Sequence, residues 1–199
     1  ENKKLFDKFW PADIHILGKD NLRWHALLWP AMLKSANIEL PKTILVNGFL
    51  NINGQKISKS IGNVIRPSEW VGKYGADAVR YYLLRYTNIT GDSDISEEKL
   101  LQAYNADLAN GLGNLVARVA KLCEISDYVN KISSGNFSDY EYIYKEDLLE
   151  YKFNQALEFV WLEISTLDIE INKQKPWELT KTNSGISKLH KYLDSYITD

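Results

Sequence analysis

One cysteine, Cys123, stands in a chain of 199 residues. A lone thiol excludes a disulfide framework and any cysteine-rich zinc site. It fits a reducing compartment, most simply a cytosol, so a cytoplasmic location is expected. No apolar run approaches the roughly 20 residues that a bilayer-spanning helix needs, so no membrane partner is expected. There is no internal repeat and no low-complexity tract, and 45% apolar with 25% charged residues excludes disorder and collagen-like sequence. The first residues, Glu1-Asn2-Lys3-Lys4, show no initiator methionine, signal peptide or transit sequence, and we read the chain as a piece of a longer protein.

The charges are unevenly spread. Residues 1–80 hold 12 basic and 7 acidic side chains, and residues 81–199 hold 12 basic and 19 acidic, within a net charge of −2. Two units with different tasks are implied. The first half is able to meet phosphates by bulk charge. The second is not, and would need a local patch and stacking to hold RNA.

The pattern predicts α/β structure followed by all-α structure. Ile14-His15-Ile16-Leu17 is an apolar run stopped by Gly18 and reads as a buried strand. Asn21 to Ala36 has helical spacing, with Pro30 expected to kink it or split it in two. Thr43-Ile44-Leu45-Val46 is a second buried strand. Strand, helix and strand of these lengths make a βαβ crossover in a parallel sheet, whose ligands sit at the carboxyl ends of the strands. Those ends are Gly18-Lys19-Asp20 and Asn47-Gly48. From Gly75 onward the apolar spacing is helical. A long helix is expected from an N-cap at Ser96 through Leu122, a loop at 133–136, and further helices over 146–171 and 184–196.

Asn53-Gly54-Gln55-Lys56-Ile57-Ser58-Lys59-Ser60-Ile61-Gly62-Asn63 cannot form an apolar element. Lys56 and Lys59 offer ammonium groups, Ser58 and Ser60 hydroxyls, and the glycines let backbone N–H groups approach an anion, for which a polyphosphate is the natural guest. A solvated basic turn is the alternative reading of the same composition.

In context this segment resembles the K-M-S-K-S loop of class I aminoacyl-tRNA synthetases, written here K-I-S-K-S. Gly18-Lys19-Asp20, His25 and Trp29-Pro30-Ala31 narrow the resemblance to methionyl-tRNA synthetases, because the leucyl, isoleucyl, valyl and cysteinyl enzymes share the loop without that series. Asp77-Ala78-Val79-Arg80-Tyr81-Tyr82 and Asn105-Ala106-Asp107-Leu108-Ala109-Asn110 also read like the family. The resemblance covers nearly the whole chain and is weakest over 130–165.

The resemblance implies a partial Rossmann-type parallel sheet carrying the K-I-S-K-S loop (1–66), a stem-contact and connecting region (67–94) and a helical anticodon-binding domain (95–199). It implies that Lys56, Ser58 and Lys59 act in catalysis, and that Gly18, Asp20, Asn47 and Gly48 join Lys56 and Lys59 in binding ATP. Trp24 and His25 fall at the methionine pocket. Asn114, Arg118, Pro176 and Trp177 match the positions that read the anticodon. Asn114 and Arg118 are four apart on one helix, which by itself also describes an exposed polar face. Trp24, His25 and Trp177 also read as core side chains. ATP with Mg2+, methionine and tRNA(Met) are the implied ligands, with no metal site in this segment.

Two substitutions depart from the family pattern: Ile57 stands for the loop methionine and Asn47 for a histidine. Asn47 still donates a hydrogen bond but has no imidazolium to offer. The family's H-I-G-H motif and the first half of its nucleotide fold are expected to precede Glu1, so this piece alone is expected to be inactive. The implied function is part of a methionine–tRNA ligase. Another class I synthetase and a non-catalytic tRNA-binding module are the alternatives.

Overall fold

A computed structural model describes residues 3–52, 54–57, 62–129 and 138–198. Ser58, Lys59, Ser60 and Ile61 lie outside the described residues, as does the expected loop at 133–136. The chain divides into two compact units, 1–67 with 86–96 and 68–85 with 97–199.

The first unit begins with α1 (Lys3–Phe9) and β1 (Ile14–Gly18), which pairs in parallel with β2 (Thr43–Asn47). The register runs from Ile14 opposite Thr43 to Gly18 opposite Asn47, so both carboxyl ends finish level. The connection between them is helical, as expected of a βαβ crossover. It is not a simple kinked helix, however. A 3-10 turn (Lys19–Asn21) leads to a π-helical turn (Trp24–Leu28) and then α2 (Trp29–Ser35), with Pro30 in the first turn of α2. A wide turn just before a proline absorbs the bond its missing N–H leaves out. The strands are also less buried than the apolar runs suggested. Leu17 and Leu45 are buried, but Ile14 and Ile16 are exposed, because neighbouring side chains on a strand face opposite ways and one face of β1 is uncovered.

A second, three-stranded sheet follows. The strand β3 (Leu50–Ile52) pairs antiparallel with β4 (Gln55–Lys56) and parallel with β5 (Ser93–Asp94). Between β3 and β4, Gly54 has a left-handed backbone with φ +73°, the kind of position that suits glycine.

The second unit is helical. It contains α3 (Pro67–Tyr74), which the sequence reading did not anticipate, and α4 (Ala76–Tyr86), most of which belongs to this unit. Buried Trp70 on α3 meets Tyr82 on α4 edge to face at 6.2 Å. The long helix expected after Ser96 is present as α5 (Glu97–Ala103), a π-helical stretch (Tyr104–Gly113) and α6 (Asn114–Ile125). Its middle is wide where Gly111 and Gly113 fall. A Cβ on Gly113 would lie 2.8 Å from the Leu108 carbonyl oxygen.

The helix expected over 146–171 is two helices, α7 (Ser138–Leu149) and α8 (Phe153–Gln174). Tyr151 takes φ 60°, and the Lys152 N–H reaches back to the Asp147 carbonyl at 2.7 Å, closing α7 with a six-residue bond. Glycine or asparagine usually announces such an end, and here a tyrosine does it. A 3-10 turn (Pro176–Lys181) and α9 (Asn183–Thr198) complete the chain. The core of this unit is Leu115, Leu122, Ile171, Leu189, Leu193 and Tyr196.

Candidate functional sites

The in-register end of β1 and β2 puts Gly18 beside Asn47. Asp20 folds back over Gly18, its Oδ1 2.9 Å from where a Cβ would stand. Gly48 is needed for close approach. A Cβ there would overlap the Gly91 backbone, and the Gly48 N–H donates to the Ile89 carbonyl at 2.8 Å. The Asn47 side-chain oxygen is buried without a hydrogen-bond partner, a costly state that a donor from a ligand or water would relieve.

Lysine side chains gather immediately beyond these ends. The Lys56 Nζ lies 4.0 Å from the centre of the Phe49 ring and the Lys19 Nζ lies 4.3 Å from it. Lys19 also pairs with Asp92 at 2.5 Å, and the Phe49 N–H donates to the same carboxylate at 2.8 Å. The Lys19 ammonium first, and then the Phe49 N–H, hold the Asp92 carboxyl below the usual range. Asp94 accepts the Gly54 N–H at 2.8 Å, so β5 grips both ends of the β3–β4 hairpin that carries Lys56. Lys19, Phe49, Asp92 and Asp94 are additions to the sequence-based set.

Trp24 and His25 sit on the π-helical turn. Trp24 is 59% exposed and His25 is half-buried. The His25 Nδ1 lies 3.0 Å from the Asn21 carbonyl oxygen; a carbonyl only accepts, so Nδ1 donates. Trp29 packs edge-on against Trp10 at 6.3 Å. Among the described residues, no group of three or more His, Cys, Asp or Glu side chains is placed to hold a metal ion.

In the helical unit, α6 and α8 and the turn after α8 bring a second set together. The Arg118 guanidinium donates to Asp168 at 2.6 Å and to Asn172 at 2.8 Å, and the Asn172 amide closes the triangle on Asp168 at 3.0 Å. The same guanidinium lies 5.6 Å from the Trp177 ring centre. Lys175 takes a left-handed φ of 48° and its N–H caps α8 on the Ile171 carbonyl at 3.0 Å. The chain reverses there, which buries Pro176 and leaves Trp177 43% exposed. Asn114 is exposed one turn before Arg118. Sequence reasoning missed Asp168. Its spacing of four from Asn172 on α8 is the same signal that linked Asn114 to Arg118.

Within one chain, then, an α/β unit gathers ammonium groups at its strand ends, and a helical unit exposes an indole under a fixed guanidinium. The chain belongs to the class I methionyl-tRNA synthetase family: the family model described as tRNA synthetases class I (M) matches residues 1–120. The methionine–tRNA ligase of Thermotoga maritima is 40% identical over 193 residues, covering 90% of this chain and 30% of the relative. That of Mycobacterium leprae is 40% identical over 196 residues, covering 92% and 36%. The methionyl-tRNA synthetase of Mycobacterium tuberculosis, solved with methionyl-adenylate bound, superposes with a TM-score of 0.84 at 33% identity, over 96% of this chain and 40% of that one. The chain thus spans a third or so of the length of these relatives.

Proposed function

We propose that this chain is the part of a methionine–tRNA ligase that supplies the ATP-phosphate loop and the anticodon reader. Residues 1–66 are the second half of its Rossmann-type nucleotide fold, 67–94 its stem-contact region and 95–199 its anticodon-binding domain. In the reaction, the methionine carboxylate attacks the α-phosphorus of ATP. The bond to the β-phosphate breaks and pyrophosphate leaves with the electron pair. A ribose hydroxyl at the tRNA 3′ end then attacks the activated carbonyl, and AMP departs.

Lys56 and Lys59 meet the charge that grows on pyrophosphate, which matters more in the transition state than in the bound substrate. The Ser58 hydroxyl serves the same phosphates, Gly48 keeps the ATP-binding strand end free of a side chain, and the Asp20 carboxylate accepts from ribose hydroxyls. Mg2+ bound with the nucleotide would supply further positive charge to the leaving pyrophosphate. Trp24 and His25 face methionine. Asn114 hydrogen-bonds base edges while Arg118 and Trp177 stack, with Pro176 fixing the direction of the indole.

The observation that carries the reading is the level pairing of Gly18 with Asn47, which gathers distant segments of sequence at the carboxyl ends of parallel strands. Methionine-dependent ATP–pyrophosphate exchange by the full-length protein, together with its binding of anticodon stem-loops at one fixed salt concentration, tests it. Exchange with methionine and a preference for CAU over a singly changed anticodon are expected. A folded protein without exchange would overturn the reading.

A further inference from the structure

We propose that Phe49 is a positioning residue for the ATP phosphates: its ring is a common seat for the ammonium groups of Lys19 and Lys56. The inference rests on the nucleotide site proposed above and extends it to a residue outside the K-I-S-K-S loop. Two like charges near one anion site repel each other while the site is empty, and flexible lysines ordinarily swing apart into water. Here both nitrogens lie within 4.3 Å of one ring centre. The negative face of an aromatic ring attracts a cation without neutralising it, so the charge stays available to a phosphate.

The seat itself is held still. Asp92 accepts the Phe49 N–H at 2.8 Å, the Ser93 N–H donates to the Phe49 carbonyl at 2.9 Å, and the Asp92 carboxylate grips Lys19 at 2.5 Å. The peptide on either side of the ring is therefore pinned to β5, and one of its two cations is tethered to the same carboxylate. Lys56 stands on the short strand β4 and reaches the ring from the far arm of the hairpin. With the ring in place, Lys56 is held against the same side chain as Lys19. Without it, Lys56 must be ordered when the triphosphate binds while Lys19 keeps only its hold on Asp92, and binding weakens.

A series of isosteric replacements separates this role from simple packing. In the full-length protein, Phe49 is replaced by its mono-, di- and trifluoro analogues, which keep the apolar bulk but drain the negative face of the ring. The KM for ATP in methionine-dependent exchange is expected to rise stepwise, by roughly 3- to 10-fold across the series, with kcat changing far less. Phe49→Trp is expected to keep KM near the parent value and Phe49→Leu to raise it at least as far as the trifluoro ring. In a Lys56→Ala background the slope is expected to shrink, since one of the two cations is gone. A flat series, or a KM that falls with fluorination, in a protein that performs the exchange would overturn the role of Phe49 and leave the nucleotide site standing. A protein with unmodified Phe49 that performs no exchange would remove the nucleotide site, and this inference with it.

Discussion

Lys19 and Lys56 meet on an aromatic ring, with Asp92 paired to Lys19, at the strand ends of the first unit. Arg118, in the helical unit, is tied to Asp168 and Asn172 and lies over Trp177. Both places gather positive charge, and they treat it differently. At the strand ends, the ring leaves the Lys56 charge in place while Asp92 offsets that of Lys19. The carboxylate and amide around Arg118 spend much of its charge on fixing the guanidinium near the Trp177 ring. Under the function proposed above, the first arrangement supplies field to a polyphosphate and the second orientation to a base.

The largest effect expected on this contrast comes from Lys59. In the full-length protein, Lys59→Ala should lower kcat for exchange by about 10²–10³-fold, the cost of one charge donor lost from a developing anion, while methionine binding stays within about twofold. Equal losses in both would remove the catalytic role. The next is Gly48→Ala, whose new methyl overlaps the Gly91 backbone. It should destabilise the first unit by about 1–3 kcal/mol, toward the upper figure because backbone cannot swing aside, read as a shifted urea midpoint.

Trp177→Ala should weaken binding of the CAU stem-loop by about 1–3 kcal/mol, one base stack, with helical circular dichroism unchanged. Unaltered affinity would return the indole to a packing role. The smallest effect is in pH dependence. The Tyr128 hydroxyl donates to Asp194 at 2.6 Å, and that bond, with burial, pushes its pKa up to about 12. A raised folded value means the stabilisation is fully present below about pH 10, the ordinary tyrosine value, and is lost as pH climbs toward 12. Tyr128→Phe should flatten that part of the alkaline decline in the helical unit, measured as urea midpoints at pH 8 and pH 11.

Much of the strand-end site was legible because its signals are local. Gly18 and Asn47-Gly48 directly end apolar runs, and the parallel crossover that aligns them follows from run lengths. Phe49 and Asp92 were not legible. An aromatic residue beside a strand looks like core, and Asp92 reaches it from 43 residues away. On the helical side the four-residue spacing placed Asn114 and Arg118 on one face, but only the packing of α6 on the end of α8 brings Arg118 to Trp177. Helix ends were hardest. Tyr151 takes a left-handed conformation that its side chain does not advertise, so the last turn of α7 and most of α8 read as one helix over 146–171, and Lys175 ends α8 in the same way. The apolar run of β1 reads as buried, and within this chain Leu17 is buried while Ile14 and Ile16, on its other face, are exposed.

Of the six tryptophans, Trp24 and Trp177 are exposed, whereas Trp10, Trp29 and Trp161 are half-buried and Trp70 is buried. The first lies in the unit that holds the strand-end cluster and the second beneath Arg118, so each unit carries one solvent-facing fluorophore. Water around an indole shifts its emission to the red, and an incoming base or amino acid that displaces that water shifts it back. With Trp24 replaced by phenylalanine the solvent-facing tryptophan emission comes from the helical unit, and with Trp177 replaced it comes from the first unit. The chain is its own two-channel optical sensor.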